Sequence, residues 1–244
     1  MKSVGGGDSK LVVLIARAML LLLVAVAVAA ADVAPTSSTA NLTLHNLCSF
    51  PVWPLITPNT GLPVPSVPDG EPLGRLDGGG AGLATLAFPA GAWSGRVTAR
   101  TGCTITTGGG AGNEEEERCA TGDGPPLTVA QVSVGGPGGL AQYSVSLVDG
   151  FNVAVVITPH GFAAGRRCPS LGCAVDLGSA ACPGHARACG AGAAEARVFK
   201  RMCPDTRTNA TDVEVTPQDC VAPQEIKVVF CPKQDAITTI TLLS

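Results

Sequence analysis

The chain has 244 residues, of which 14% are charged and 4% are aromatic, and it contains 31 glycines, 19 prolines and ten cysteines. Soluble domains average about 25% charged residues and about 7% glycine, so this chain is poor in charge and rich in turn-forming residues. This composition argues against a coiled coil, an acidic tail protein and a multi-pass membrane protein. A single all-β domain of this length is ordinary.

The first 31 residues have the pattern of a secretory signal peptide. Lys2 and Lys10 precede an apolar stretch over residues 11–31 that ends in three alanines. A basic lead, an apolar core and a small-residue exit are typical of such peptides. The alternative is a membrane anchor over the same stretch, against which Arg17 in mid-span weighs. We therefore expect residues 1–31 to be a signal peptide.

Removal of this segment leaves an acidic chain with 13 basic and 18 acidic residues. Nucleic-acid binding depends on clustered lysine and arginine that displace counter-ions from phosphates. Nucleic acid is therefore excluded as a partner.

Polar and apolar residues alternate along the rest of the chain, which is typical of half-buried β-strands. The pair Asp149-Gly150 predicts a tight hairpin turn, residues 64–82 and 107–124 are expected to be Gly/Pro-rich loops, and residues 191–202 predict one short helix. Many short strands with Gly/Pro turns indicate an all-β fold, an antiparallel β-sandwich or barrel. The predicted strands are 41–47, 84–88, 96–101, 127–134, 143–148, 153–158 and 226–230.

All ten cysteines follow the predicted signal peptide, and an even number in a secreted chain predicts a disulfide framework. Five of them lie in the segment from Cys168 to Cys203, so residues 160–205 are expected to form a loop-rich lobe held by disulfides rather than by an apolar core. No cysteine pair has the spacing of a zinc site, so no metal is expected. Spacing alone does not choose the pairing. Asn41 and Asn209 begin Asn-x-Thr sequons, which predict N-glycosylation.

The sequence contains no motif that predicts catalysis. Glycine clusters at 78–80 and 108–110 do not lie between a strand and a helix, so they are interpreted as flexible connections rather than phosphate-binding loops. The acidic run 114–117 favours a solvated surface over a cation site. No Gly-x-Ser-x-Gly elbow accompanies the three histidines, and the cysteines are expected to be oxidised, so neither a catalytic nucleophile nor a cofactor is predicted.

Five sequence blocks follow one another along the chain. They read LHNLCSFPVWP, GRVTARTGC, SLVDGFNV, FKRMCPD and VVFCP, and they occupy residues 44–54, 95–103, 146–153, 199–205 and 228–232. In this order and with these cysteine positions, they resemble the thaumatin-like proteins, a pathogenesis-related plant defence family. The resemblance implies a thaumatin-like antiparallel β-sandwich with a small disulfide lobe over residues 41–232, followed by a C-terminal extension over residues 233–244.

The resemblance also implies a disulfide pairing. Larger members of the family carry three further disulfides, and the family signature Thr-Gly-Asp-Cys ends here in Gly124, so the chain resembles the reduced ten-cysteine branch. The implied pairs are Cys48–Cys231, Cys103–Cys119, Cys168–Cys220, Cys173–Cys203 and Cys182–Cys189.

The family has an acidic cleft lined by one arginine, one glutamate and three aspartates. The resemblance places these positions at Arg100, Gln131, Ser144, Asp149 and Asp205, so two of the four carboxylates are replaced by neutral side chains. Glycoside hydrolysis requires one carboxylic acid and a second carboxylate, and neither glutamine nor serine exchanges protons in the required range. The chain is therefore expected not to be an enzyme.

These features together predict a secreted, monomeric plant defence protein with an antifungal or stress-responsive role. Its expected partner is a fungal cell-wall β-glucan or a membrane-associated target. The alternatives are an inhibitor of secreted microbial glycosidases of the xylanase-inhibitor type, a weak β-1,3-glucanase that uses Asp149 and Asp205, and a stress-expressed member whose cleft has decayed. The expected location is the apoplast, or the vacuole if residues 233–244 are a sorting signal.

Overall fold

The fold consists mainly of two β-sheets and a separate β-hairpin. A computed structural model describes residues 40–107 and 115–233, so the predicted signal peptide and the predicted extension beyond Lys233 lie outside the described residues. The strands are β1 (Asn41–Asn46), β2 (Val52–Pro58), β3 (Gly82–Ala87), β4 (Trp93–Thr101), β5 (Thr104–Thr107), β6 (Glu115–Arg118), β7 (Val129–Val134), β8 (Gln142–Ser146), β9 (Val155–His160), β10 (Leu171–Cys173) and β11 (Glu225–Phe230). The helices are α1 (Leu177–Ala180) and α2 (Ala193–Met202).

The two sheets form a sandwich, which confirms the predicted fold class. One sheet has the strand order β10-β9-β11-β1-β3 and the other has the order β2-β4-β7-β8. Neighbouring strands run antiparallel with one exception, since β1 and β11 are parallel, with Asn46 opposite Phe230. Alternate side chains of both sheets point inward, and these form one apolar core between the sheets.

Each of the seven predicted strands overlaps a strand of the structure, whereas β2, β5, β6 and β10 were not predicted. Strand β2 contains Pro54 and Pro58, and proline is rare in strands because it cannot donate a hydrogen bond to a neighbour. The strand lies at the edge of its sheet, where it pairs only with β4 among the named strands. An edge strand tolerates the missing donors, so β2 forms in spite of its prolines.

The loop predicted over residues 107–124 contains a strand instead. Residues 115–118 form β6, which pairs with β5 so that Ile105 lies opposite Glu117. The prediction was wrong because glutamate has a low strand propensity, while pairing with β5 and the nearby Cys103–Cys119 disulfide provide the tertiary support.

The predicted hairpin at Asp149-Gly150 is also wrong. β8 belongs to the four-stranded sheet and β9 to the five-stranded sheet, so the turn carries the chain from one sheet to the other. Gly150 has a φ of 101°, in the left-handed region that favours glycine. A Cβ atom there would lie 2.5 Å from the carbonyl oxygen of Cys189, because the turn packs closely against the disulfide lobe.

The disulfide lobe has an apolar core of its own, which corrects the expectation that disulfides alone hold it. Phe151, Leu177 and Phe199 are almost completely buried in a cluster separate from the main core. The rings of Phe151 and Phe199 pack with their centroids 6.4 Å apart. This cluster was not predicted, because its members are spread over more than 50 residues and follow neither strand nor helix periodicity.

Five disulfides connect the chain, and they are the same five pairs that the family resemblance implies. They join Cys48–Cys231, Cys103–Cys119, Cys168–Cys220, Cys173–Cys203 and Cys182–Cys189. None of the helices in the described part of the chain has the length and apolar character needed to cross a membrane.

Candidate functional site

The outward face of the four-stranded sheet carries a row of polar side chains. Along β4 the residues alternate, so that Val97 and Ala99 are buried in the core while Arg96 faces outward. The strand register places Arg96 opposite Gln131 of β7, and Gln131 opposite Ser144 of β8. Arginine, amide and hydroxyl groups from three strands therefore lie side by side.

A segment that follows α2 runs along the edge of β8 and adds a carboxylate to this row. The main chain of Arg207 pairs with this edge, accepting from the Leu147 N–H at 2.7 Å and donating to the Val145 carbonyl at 3.1 Å. Further along the same segment, Glu214 accepts a short hydrogen bond from the Ser144 hydroxyl through its Oε1. Ser144 is 1% exposed, so this bond satisfies a buried hydroxyl.

These groups line an open groove of about 460 Å³ on the sheet face, which we call the sheet groove. Among its lining residues, Arg96 is the only cation and Glu214 the only carboxylate. The remaining polar side chains are amides and hydroxyls, which both donate and accept hydrogen bonds. The polar residues that line the groove are Asn59, Ser94, Arg96, Gln131, Ser133, Gln142, Ser144, Glu214 and Thr216.

The structure brings two of the five predicted cleft residues together in this groove, Gln131 and Ser144. The other three lie elsewhere. The Arg100 guanidinium contacts the carboxylates of Glu117 at 2.9 Å and Asp123 at 3.9 Å. The exposed side chains of Asp149 and Asp205 lie in a turn and beside a second pocket, respectively. That second pocket, of about 300 Å³, is formed around the Cys173–Cys203 disulfide and the C-terminal end of α2.

The ion pair between Arg100 and Glu117 adds a contact to the acidic run. Residues 114–117 were expected to form a solvated surface, and Glu117 is exposed while its side chain contacts the Arg100 guanidinium. The position of this pair follows from the β5–β6 hairpin, which was not predicted.

Sequence reasoning missed Arg96 and Glu214. Arg96 and Arg100 lie four positions apart on β4. Side chains alternate between the two faces of a strand, so both arginines are expected on the outward face and the sequence does not distinguish between them. The register with β7 distinguishes them, because Arg96 has Gln131 as its partner. Glu214 is 70 residues from Ser144 in the sequence, and no local signal places it at the groove.

A polar network around Asp212 holds the segment that carries Glu214. The Asp212 carboxylate contacts Lys200 Nζ at 3.0 Å and accepts hydrogen bonds from the backbone N–H and the hydroxyl of Thr208 at 3.1 and 3.2 Å. Burial by itself would raise the pKa of Asp212, but the hydrogen bonds from Lys200 and Thr208 and the charge of Lys200 lower it below its ordinary value of 3.8. The ionised carboxylate is therefore the stabilised form.

We expect this network to make the fold sensitive to acid. Because the folded-state pKa is lowered, the contribution of Asp212 is present above pH 3.8 and is lost as the pH falls through the lower folded value. The Asp212→Asn variant should therefore have a lower melting temperature than the wild type near pH 6, and this gap should close near pH 2. Asp219→Asn, which removes an exposed ion pair with Arg166, should give little change at either pH. An Asp212→Asn gap that does not depend on pH would contradict the assignment.

The two packed sheets, the five disulfides and the separate lobe define a thaumatin-like β-sandwich. The model of the Thaumatin family matches residues 46–194 of the chain. The chain therefore belongs to the thaumatin family.

Relatives from several plants are similar over most of this chain. An osmotin-like protein from Solanum lycopersicum is 34% identical, over 78% of this chain and 88% of the relative. Pathogenesis-related protein 5 from Arabidopsis thaliana is 33% identical, over 79% of this chain and 90% of the relative. A protein from Zea mays named as an alpha-amylase/trypsin inhibitor is 29% identical, over 79% of this chain and 100% of the relative.

Proposed function

We propose that this chain is a secreted plant defence protein that binds a neutral polysaccharide, such as β-1,3-glucan, in the sheet groove. The observation that carries the proposal is the row of Arg96, Gln131 and Glu214, in which the buried Ser144 hydroxyl holds the Glu214 carboxylate at the end of the row. Similarity to relatives named for pathogenesis and osmotin supports the defence role.

The chemistry of the groove suits the hydroxyl groups of a sugar chain. Each sugar hydroxyl both donates and accepts, so amide and hydroxyl side chains can satisfy it in either sense. The guanidinium of Arg96 adds donors and the carboxylate of Glu214 adds acceptors, and hydrogen bonds to charged groups are stronger than neutral ones. No described residue forms a hydrogen bond or an ion pair with the Arg96 side chain, so its donors are free for a ligand.

Binding without hydrolysis agrees best with the groups present. A glycosidase needs two carboxyl groups about 5–9.5 Å apart. Among the residues that line the groove, Glu214 supplies the only carboxylate, and Ser144 already donates to it. The alternative pair of Asp149 and Asp205 lies outside the groove, so the glucanase interpretation has the weaker support.

The proposed location is the apoplast, and a vacuolar location would require residues 233–244 to act as a sorting signal. The N-terminal pattern of residues 1–31 supports secretion, as do five disulfides, which persist in oxidising compartments. Asn41 and Asn209 are exposed, so both sequons are proposed glycan sites on a monomeric protein.

The second candidate function is inhibition of secreted microbial glycosidases. The maize relative named as an alpha-amylase/trypsin inhibitor supports an inhibitory role. Such a role depends on a protein–protein surface, so a soluble glucan should not compete with it.

We expect the oxidised mature chain to sediment with insoluble β-1,3-glucan and to release no reducing sugar. Arg96→Ala and Glu214→Gln should each weaken binding about tenfold, because each removes a charged hydrogen-bonding group worth about 1.4 kcal/mol or more. The matched controls are Arg197→Ala on the exposed side of α2 and Glu225→Gln on the other sheet, which should bind as the wild type does.

The outcomes separate the candidate functions. Sugar release that disappears in Glu214→Gln would overturn the non-enzyme proposal. Absence of glucan binding, together with inhibition of a microbial xylanase or amylase, would favour the inhibitor. Binding that is unaffected by both groove variants would place the glucan site elsewhere on the molecule.

A further inference from the structure

The second pocket, of about 300 Å³, lies where the five-stranded sheet meets the disulfide lobe, and we call it the lobe pocket. It is lined by residues 172–175 and 202–205, together with Val156 and Ser170. Both strand neighbours of Val156 are buried in the main core, so Val156 itself points away from that core. The lobe pocket shares no lining residue with the sheet groove, so it is a separate site.

Asp205 carries the only charge among the described residues that line the lobe pocket. Its side chain is exposed, and no residue in the described part of the chain forms a hydrogen bond or an ion pair with it. Lys200 of α2 is engaged elsewhere, since its Nζ atom contacts Asp212 at 3.0 Å and donates to the Thr206 carbonyl at 2.9 Å. The Asp205 carboxylate is therefore available to a positively charged ligand.

Ser170 provides the other polar oxygen of the lobe pocket. Its hydroxyl donates to the Thr158 hydroxyl at 3.2 Å, so its one proton is already used and its oxygen is left as an acceptor. The carboxylate of Asp205 also only accepts hydrogen bonds. The side chains of the pocket therefore offer acceptors and a negative charge, and the complementary ligand is a cation that donates hydrogen bonds.

The rest of the lobe pocket is largely apolar. Val156 is 4% exposed and closes the pocket on the side of the sheet, while Val175, Met202 and Pro204 line it on the side of the lobe. Its volume is at the lower end of the range of about 300–1,000 Å³ that is typical of small-ligand sites. Such a pocket suits a single ring whose C–H groups contact the apolar walls.

We propose that the lobe pocket binds a protonated amino sugar, with its ammonium group at Asp205 and Ser170 and its ring against Val156 and Met202. An ammonium group has three donors and no acceptor, which matches the acceptors of the pocket. A neutral glucose unit has no charge to pair with Asp205. The side chain of a lysine has the same ammonium group, but its slender stem contacts less of the apolar walls than a ring does.

The test is titration of the oxidised mature chain with glucosamine, followed by NMR at the backbone amide signals of Ala174, Val175 and Asp205. These signals should shift in a saturable way, and Asp205→Asn should raise the dissociation constant about tenfold or more, because it removes a charged hydrogen-bonding group. The matched control is Asp149→Asn, which changes an exposed aspartate outside the pocket and should bind as the wild type does.

Two further ligands separate the charge from the ring. N-acetylglucosamine keeps the ring but has no positive charge, so it should not give the saturable shifts. The Nα-acetyl amide of lysine keeps the ammonium group without the ring, so it should bind at least about fivefold more weakly than glucosamine. A pocket-filling Ala174→Phe variant, which keeps the Asp205 carboxylate, should lose glucosamine binding while it melts near the wild-type temperature.

The proposal is overturned if glucosamine gives no saturable shift at these signals, or if Asp205→Asn or Ala174→Phe binds it as the wild type does. It is also overturned if N-acetylglucosamine or the lysine derivative binds as tightly as glucosamine. Binding to β-1,3-glucan should be unchanged in Asp205→Asn, and glucosamine binding should be unchanged in Arg96→Ala. Failure of this proposal is therefore distinguishable from failure of the groove proposal.

Discussion

Replacing the Cys48–Cys231 disulfide in a Cys48→Ala/Cys231→Ala variant should lower the free energy of unfolding by about 5 kcal/mol. The bond joins residues 183 positions apart and connects the ends of the parallel strands β1 and β11. In the chain-entropy model a cross-link restricts the unfolded chain more strongly as the closed loop becomes longer. Guanidinium unfolding of the two oxidised proteins, followed by circular dichroism, measures the difference.

The Cys182→Ala/Cys189→Ala variant is the matched control for this result. This disulfide joins residues only 7 positions apart. For its removal, the same model gives a loss of about 2.5 kcal/mol in the free energy of unfolding. The long closure should therefore cost about twice as much as the short one. Equal losses for the two variants would show that local packing, and not restriction of the unfolded chain, sets the contribution of these bonds.

The second large effect is expected at Asn46, whose side chain is completely buried at the end of β1. Its Nδ2 atom donates to the carbonyl oxygens of Phe50, Leu76 and Asp77 at 2.9–3.1 Å, and its Oδ1 atom accepts from the Cys48 N–H at 3.0 Å. Asn46→Ala should lower the free energy of unfolding by roughly 3 kcal/mol, because it leaves several buried main-chain groups without a partner.

Two further variants separate hydrogen bonding from packing at this position. Asn46→Asp keeps the shape but removes the donors and buries a charge, so it should destabilise at least as much as alanine. Asn59→Ala, at an exposed asparagine bonded to Ser94 at 2.7 Å, should change the free energy of unfolding by less than about 0.5 kcal/mol. If Asn46→Ala lost under 1 kcal/mol in chemical denaturation, water would have to replace the lost bonds.

The alternation of polar and apolar residues determined most of the strands, since a strand with one buried face must repeat every second residue. It failed where local composition and tertiary pairing disagree. The prolines of β2 argue against a strand, yet β2 forms at the edge of its sheet. The glutamates of β6 also argue against a strand, yet β6 forms because it pairs with β5. Gly150 signals a turn correctly, but a turn residue does not say which sheet receives the next strand.

The candidate site was less accessible from the sequence than the fold. Gln131 and Ser144 could be named from the family resemblance because they lie in strands whose sequence resembles that of the family. Arg96 depends on the register of β4 against β7, and Glu214 depends on a segment that returns to the edge of β8. Packing between residues that are distant in sequence sets the strand register and the position of the segment that carries Glu214. No local pattern in a single sequence predicts either of them.

The sequence by itself therefore determined that this is a disulfide-bonded, strand-rich chain, because residue type and period reflect the local burial of each position. Only the tertiary structure decided which polar residues face one another, as the row from Arg96 to Glu214 shows. It also decided how the Cys182–Cys189 ring is anchored, because this depends on contacts with Phe151 and Gly178 that no local sequence pattern predicts.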